Sequence, residues 1–150
     1  MIAAPPPVYP WPIGMGPRYH PTANRPGAEL RCGPRGTRYR VHLELFANRR
    51  VVIVPAGIGG CSAPLRTTAP TGVVEVARRH TLGDLFATWG RRLAPTGFLT
   101  FRGRVSAFVD GRRVTGDPRA VRLVPGREIA LAIGRLPAII PSRFDFARTP

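Results

Sequence analysis

Thr81-Leu82-Gly83-Asp84-Leu85-Phe86-Ala87-Thr88-Trp89-Gly90 is the stretch that decides how this chain folds. Leu82, Leu85, Phe86 and Trp89 recur at i, i+3, i+4 and i+7, which gathers them on one helical face. Thr81 supplies a capping hydroxyl, and Asp84, three residues on, brings a carboxylate to the exposed amides of the first turn. Gly90 stands just past the last apolar residue, where a left-handed conformation ends a helix without a Cβ clash. So short a helix is marginal in water and must lie on an apolar surface.

That surface is predicted from the strands on either side. Upstream, Val41, Leu43 and Leu45 alternate with Arg40, His42 and Glu44, and Val51-Val52-Ile53-Val54 follows as an apolar run. Ala47-Asn48-Arg49-Arg50 joins them as a tight turn, with Asn where positive φ is needed. Pro55 ends the strand, and Ala56-Gly57-Ile58-Gly59-Gly60 is read as a plain connector, because no Gly-Lys-Ser/Thr follows it. Residues 61–71 read as irregular, and residues 72–77 as a third strand leading into the helix. Downstream, residues 91–103 read as loop. Strands are expected at 104–109, 112–114, 121–124 and 128–133, with Asp110-Gly111 as a hairpin turn. The order predicts an α+β fold, a β-grasp-like mixed sheet of about five or six strands with one short helix packed across it. Pro-rich ends frame it: an extended arm over residues 1–30, one domain over 31–135 and an extended tail over 136–150.

The arm carries Tyr9, Trp11 and Tyr19 among its prolines, and the tail carries Phe144 and Phe146. Proline at that density excludes helix and ladder pairing. The interspersed aromatics leave two readings, a linker or a segment laid over its own domain or a partner. The formal charge is +15, and every basic residue apart from histidine is arginine, with no lysine anywhere. Such a charge invites a polyanion, whereas an Ala-, Gly-, Pro- and Arg-rich composition is also what a GC-rich genome produces. The pairs Arg78-Arg79, Arg91-Arg92 and Arg112-Arg113 form an anion-binding surface only if the fold collects them on one face.

Cys32 and Cys61 flank the first hairpin, whose geometry returns the chain near its start. They are read as a disulfide or as two free thiols; the bonded form implies an oxidising compartment. Met1-Ile2-Ala3-Ala4-Pro5 has neither a basic nor an apolar region of a signal peptide, and no apolar run reaches membrane-spanning length.

Two resemblances add to this. Thr81-Leu82-Gly83-Asp84-Leu85-Phe86, Phe108-Val109-Asp110-Gly111-Arg112 and residues 123–131 resemble the small β-grasp sulfur carriers, but the chain ends Thr149-Pro150 rather than Gly-Gly. Residues 39–59, 64–76, 81–90 and 109–123 are similar to an uncharacterised family of actinobacterial exported or cell-envelope proteins. Its pattern runs Val-Pro-Ala-x-Ile-Gly, then Thr-Leu-Gly-x-Phe-Phe-x-x-Trp-Gly, then Gly-Asp-Pro-Arg. The histidines of that family imply a soft-metal site. Here only His42 remains; Leu65-Arg66-Thr67-Thr68-Ala69 and Glu75 stand where other histidines would be. The charge of Arg66 would oppose a cation, so no metal and no cofactor is expected.

His20, His42 and His80 share no ligand spacing, and no hydrolase or metalloprotease motif occurs. The expected function is therefore non-catalytic. The chain reads as a binding or accessory subunit of an extracytoplasmic or cell-envelope assembly, docking a protein partner or its own copies through Tyr9, Trp11, Tyr19, Phe144 and Phe146. The alternative is an arginine-rich binder of nucleic acid or another polyanion. A third reading, an enzyme or metal protein, would use His42 with Glu44 or Glu75.

Overall fold

The computed structural model describes residues 18–19, 21 and 32–148. Tyr9 and Trp11 lie outside them. Among the described residues eleven strands and one α-helix occur in the order β1 (Arg18–Tyr19), β2 (Tyr39–Ala47), β3 (Arg50–Val52), β4 (Leu65–Arg66), β5 (Val73–Val76), α1 (Leu82–Trp89), β6 (Leu93–Ala94), β7 (Gly97–Phe98), β8 (Phe101–Arg102), β9 (Val105–Val109), β10 (Arg112–Val114) and β11 (Glu128–Ile133). Pro118–Ala120 and Phe146–Arg148 form 3₁₀ turns.

The helix is built as its sequence requires. Thr81 Oγ1 accepts from the Asp84 amide while the Asp84 carboxylate accepts from the Thr81 amide, closing a capping box. Those bonds hold the Asp84 carboxyl below its ordinary range. Gly90 ends the helix at φ 75°. Leu82, Leu85, Phe86 and Trp89 are all buried, and they meet Val41, Leu43, Leu45, Ile129, Leu131 and Ile133 in one core.

That core lies on a mixed sheet ordered β1-β3-β2-β11-β9-β10, with β5, and β4 outside it, on the first half of β2. The long β2 can accept both β5 and β3 on one edge because they pair with different halves, Tyr39–His42 and Leu45–Ala47. Its other edge pairs in parallel with β11, which continues antiparallel into β9. Both hairpin turns have the left-handed conformation at two residues, Asn48 and Arg49 in one and Asp110 and Gly111 in the other. This is the geometry that matches strand twist.

The sheet is larger than the five or six strands expected, since it holds eight. Residues 61–71 contribute β4, and the arm contributes β1, parallel to β3. Residues 91–103 are not a loop but a separate small sheet, β6-β7-β8. Residues 121–124 do not form a strand and make only a single bridge, Thr81 to Arg122. Each difference involves two to four residues, too few to display a period, whose pairing depends on whichever edge lies nearby.

Candidate functional site

Alternation along β2 turns His42, Glu44 and Phe46 to the face opposite the helix. On β11 the same rule turns Glu128, Ala130 and Ala132 that way. In the parallel register Glu128 is the Cα partner of His42, and Ala130 that of Glu44. His42 and Glu128 therefore stand side by side, with Glu44 one step further along.

All three are buried, His42 and Glu128 completely. His42 Nδ1 is 2.7 Å from Glu128 Oε1 and 3.6 Å from Glu44 Oε2. The other ring nitrogen, Nε2, is 2.7 Å from the Thr71 carbonyl oxygen, an acceptor that requires Nε2 to carry hydrogen. Gly72 makes that approach possible. A Cβ there would come within 2.4 Å of the Leu43 carbonyl and 3.0 Å of His42 Nε2, and φ is +79°. The Asp110 carboxylate accepts from the Glu128 amide and fixes the start of β11.

The C-terminal tail covers this face. Ile140 packs against the apolar cluster of Phe46, Val51, Ile53, Phe108, Ala130 and Ala132. Phe144 lies flat on the His42 ring, centroids 3.7 Å apart and planes 11° from parallel, and Phe146 meets Phe144 edge-on at 5.1 Å. Arg40 in turn lies 5.3 Å over the Phe146 ring. The tail aromatics are thus engaged by the chain itself. Tyr19 is also engaged, edge-on to Phe101 at 5.1 Å.

Burial pushes the Glu128 carboxyl up to about 8, the charge of Asp110 adding to it and a bond to Glu44 opposing it. Burial likewise pushes His42 below its ordinary value, against the pull of Glu44 and the Thr71 carbonyl. At neutral pH the pair holds one proton, on Glu128, donated to a neutral imidazole. Unfolded, it holds one proton between pH 4.5 and 6.5, on His42, and none above 6.5. Above pH 6.5 folding therefore takes up a proton, and stability falls as pH rises from there to about 8. At about 1.4 kcal/mol per pH unit the loss reaches roughly 2 kcal/mol. Unfolding free energies from urea titrations at pH 6 and 8.5, with chelator present, should differ by that amount in the native protein, and Glu128→Gln should abolish the fall.

Of the residues read from sequence, Glu44 joins His42 and Glu75 does not. Glu75 instead binds Arg66 at 2.6 Å. Arg66 also donates to the Cys61 carbonyl. The arginine expected to bring positive charge against His42 is thereby neutralised by its own partner. Nothing in the local sequence of Glu128 distinguishes it, since only the β2–β11 register brings it to His42.

Cys32 and Cys61 are bonded, with Cα atoms 5.3 Å apart. Of the arginine pairs, Arg78 and Arg79 line an open cleft of about 550 Å³ with Tyr39, His80, Asp84 and Arg122. The sequence alone does not single out Arg122, which the fold brings to the same cleft. Arg91 and Arg92 follow the opposite end of the helix, where Arg92 donates to Thr96, and Arg112 and Arg113 lie on edge strand β10, where Arg113 donates to Ser106. None of these four lines the cleft. No helix among the described residues is long and apolar enough to cross a membrane. No protein family's profile matches the chain, no curated protein matches it, and no solved structure matches it.

Proposed function

We propose that this chain is a non-catalytic, extracytoplasmic binding domain of β-grasp plan, acting as an accessory subunit of a cell-envelope assembly. One observation carries the reading. Among the described residues the buried acid–base cluster, His42 with Glu44 and Glu128, lies beneath Phe144 rather than on an open cleft. The order of strands supports the plan: a first hairpin, a helix, a second hairpin, and a last strand parallel to the first at the centre. The disulfide fits an oxidising compartment, and the resemblance to an actinobacterial exported family agrees with it. Within this reading Tyr19, Phe144 and Phe146 anchor the ends to the domain, and Tyr9 and Trp11 are the docking side chains. Co-purification of the native protein with mass spectrometry of its companions should yield a stoichiometric protein partner. Tyr9→Ala with Trp11→Ala should lose it. A bare monomer under mild extraction would overturn the proposal.

Arg78, Arg79 and Arg122 around one cleft favour a second reading, a binder of phosphate-bearing polymer. It requires nucleic acid in the purified material and an affinity falling by roughly 0.9 log units per decade of salt for each phosphate contacted. Arg78→Ala with Arg79→Ala would then reduce that slope.

A further inference from the structure

The apolar remainder of the tail-covered face poses a question about its polar end. Phe46, Phe108, Ala130 and Ala132 fill that face with ordinary hydrophobic contacts. At its end stand an imidazole and two carboxyls, a set that costs folding energy to bury and that apolar residues of similar volume would replace at no loss. Their arrangement is also specific. The Thr71 carbonyl takes the Nε2 hydrogen, which leaves the Nδ1 lone pair pointing at Glu128 and Glu44. A histidine tied through one nitrogen to a backbone carbonyl, with the other facing carboxylates, is how proteins orient an imidazole toward a metal ion. Glu128 adds a second sign. Its Oε2 is fully buried, and among the described residues no hydrogen bond of ordinary geometry reaches it.

We propose that His42 Nδ1, Glu44 and Glu128 form a buried site for one divalent first-row cation such as zinc or manganese. The three ligand atoms lie within 4.8 Å of one another. Around a tetrahedral ion with bonds of about 2.1 Å, neighbouring ligands stand about 3.4 Å apart. The Glu128 contact must therefore open by less than 1 Å, and the Glu44 contact already fits. One nitrogen with carboxylate oxygens suits zinc or manganese rather than a soft ion that wants thiolates. A neutral imidazole with two carboxylates balances a dication, so the filled site would be uncharged. Beside it lies a cavity of about 10 Å³, lined by His42, Glu44, Thr71 and Gly72 among others. That is about the smallest space able to take one water, the fourth ligand such a set lacks. Phe144 closes the site from outside, so the ion enters when the tail lifts.

The test uses the full chain, stripped with chelator and titrated with zinc chloride or manganese chloride alone. Calorimetry and native mass spectrometry should find one ion per chain, and the melting temperature should rise by about 10 °C at free metal about 100 times its dissociation constant. Glu128→Gln should weaken binding by at least about 100-fold, more than the loss of an outer partner costs. Glu44→Gln should do the same and serves if the first variant does not fold. Asp117→Asn, which removes an exposed carboxylate paired with Arg119 outside the cluster, should bind as the native chain does. Phe144→Ala should exchange the ion faster at similar affinity. The proposal is overturned if neither ion binds at millimolar concentration, or if binding survives unchanged in a folded Glu128→Gln or Glu44→Gln.

Discussion

Trp89→Ala is expected to destabilise the protein by about 4 kcal/mol, the largest effect of any single side chain here. Trp89 is wholly buried at the end of the helical face, where its ring meets Phe86 at 5.4 Å. Removing it empties the space between the last helical turn and the sheet. The turn cannot sink to refill that space, because Gly90 ends the helix and the Arg91 amide is bonded to the Phe86 carbonyl. A contrasting variant separates volume from polarity. The indole Nε1 has no hydrogen-bond partner among the described residues, and an unmet buried donor costs about 1–3 kcal/mol. Trp89→Phe deletes that donor and part of the volume together, so its net change should be much smaller. Urea unfolding of both variants measures the difference. A loss below about 1 kcal/mol for Trp89→Ala would mean that the helix does not organise the core.

Removing the disulfide comes second. The bond joins residues 29 apart in sequence, and closing a loop of that length stabilises by roughly 3–4 kcal/mol in the chain-entropy model. The local network gives a reason for the full loss to appear. Arg38 donates to the carbonyls of Cys61 and Ala63, and Arg66 to those of Cys61, Gly33 and Pro34. Without the bond these segments separate, and two guanidinium groups lose their acceptors. The double variant Cys32→Ser, Cys61→Ser should therefore unfold at lower urea than the oxidised native chain, and the native chain under reductant should follow it. If the reduced and oxidised proteins unfold alike, the bond carries no stability, and the argument from it to an oxidising compartment loses its force.

Sequence reading succeeded where a local rule has a long enough run to act. The capping box, the apolar face of α1, the glycine stop and both left-handed turns are all set by residues within a few positions of one another. Alternation along β2 likewise announced two faces. It did not say what would cover the second face, and a buried His42 and Glu44 in a pattern that otherwise reads polar-out are the consequence. The tail's composition reads as extended and available to a partner, but Ile140 and Phe144 lie on the face that alternation leaves bare. Short pairings such as β4 and β6-β7-β8 escaped for a simpler reason, since two residues have no period.

By itself, then, the chain determined its one helix, its two hairpins and its α+β class, because capping, turn chemistry and hydrophobic period act over neighbouring residues. It also placed the two cysteines where a hairpin could join them. Tertiary structure alone decided that the cysteines bond, that Arg66 is held by Glu75, and that Glu128 stands beside His42. That last juxtaposition comes from a parallel register between strands 86 residues apart, measured from His42 to Glu128. Parallel pairing is set by how the whole sheet closes around its helix, and no residue near either partner encodes it.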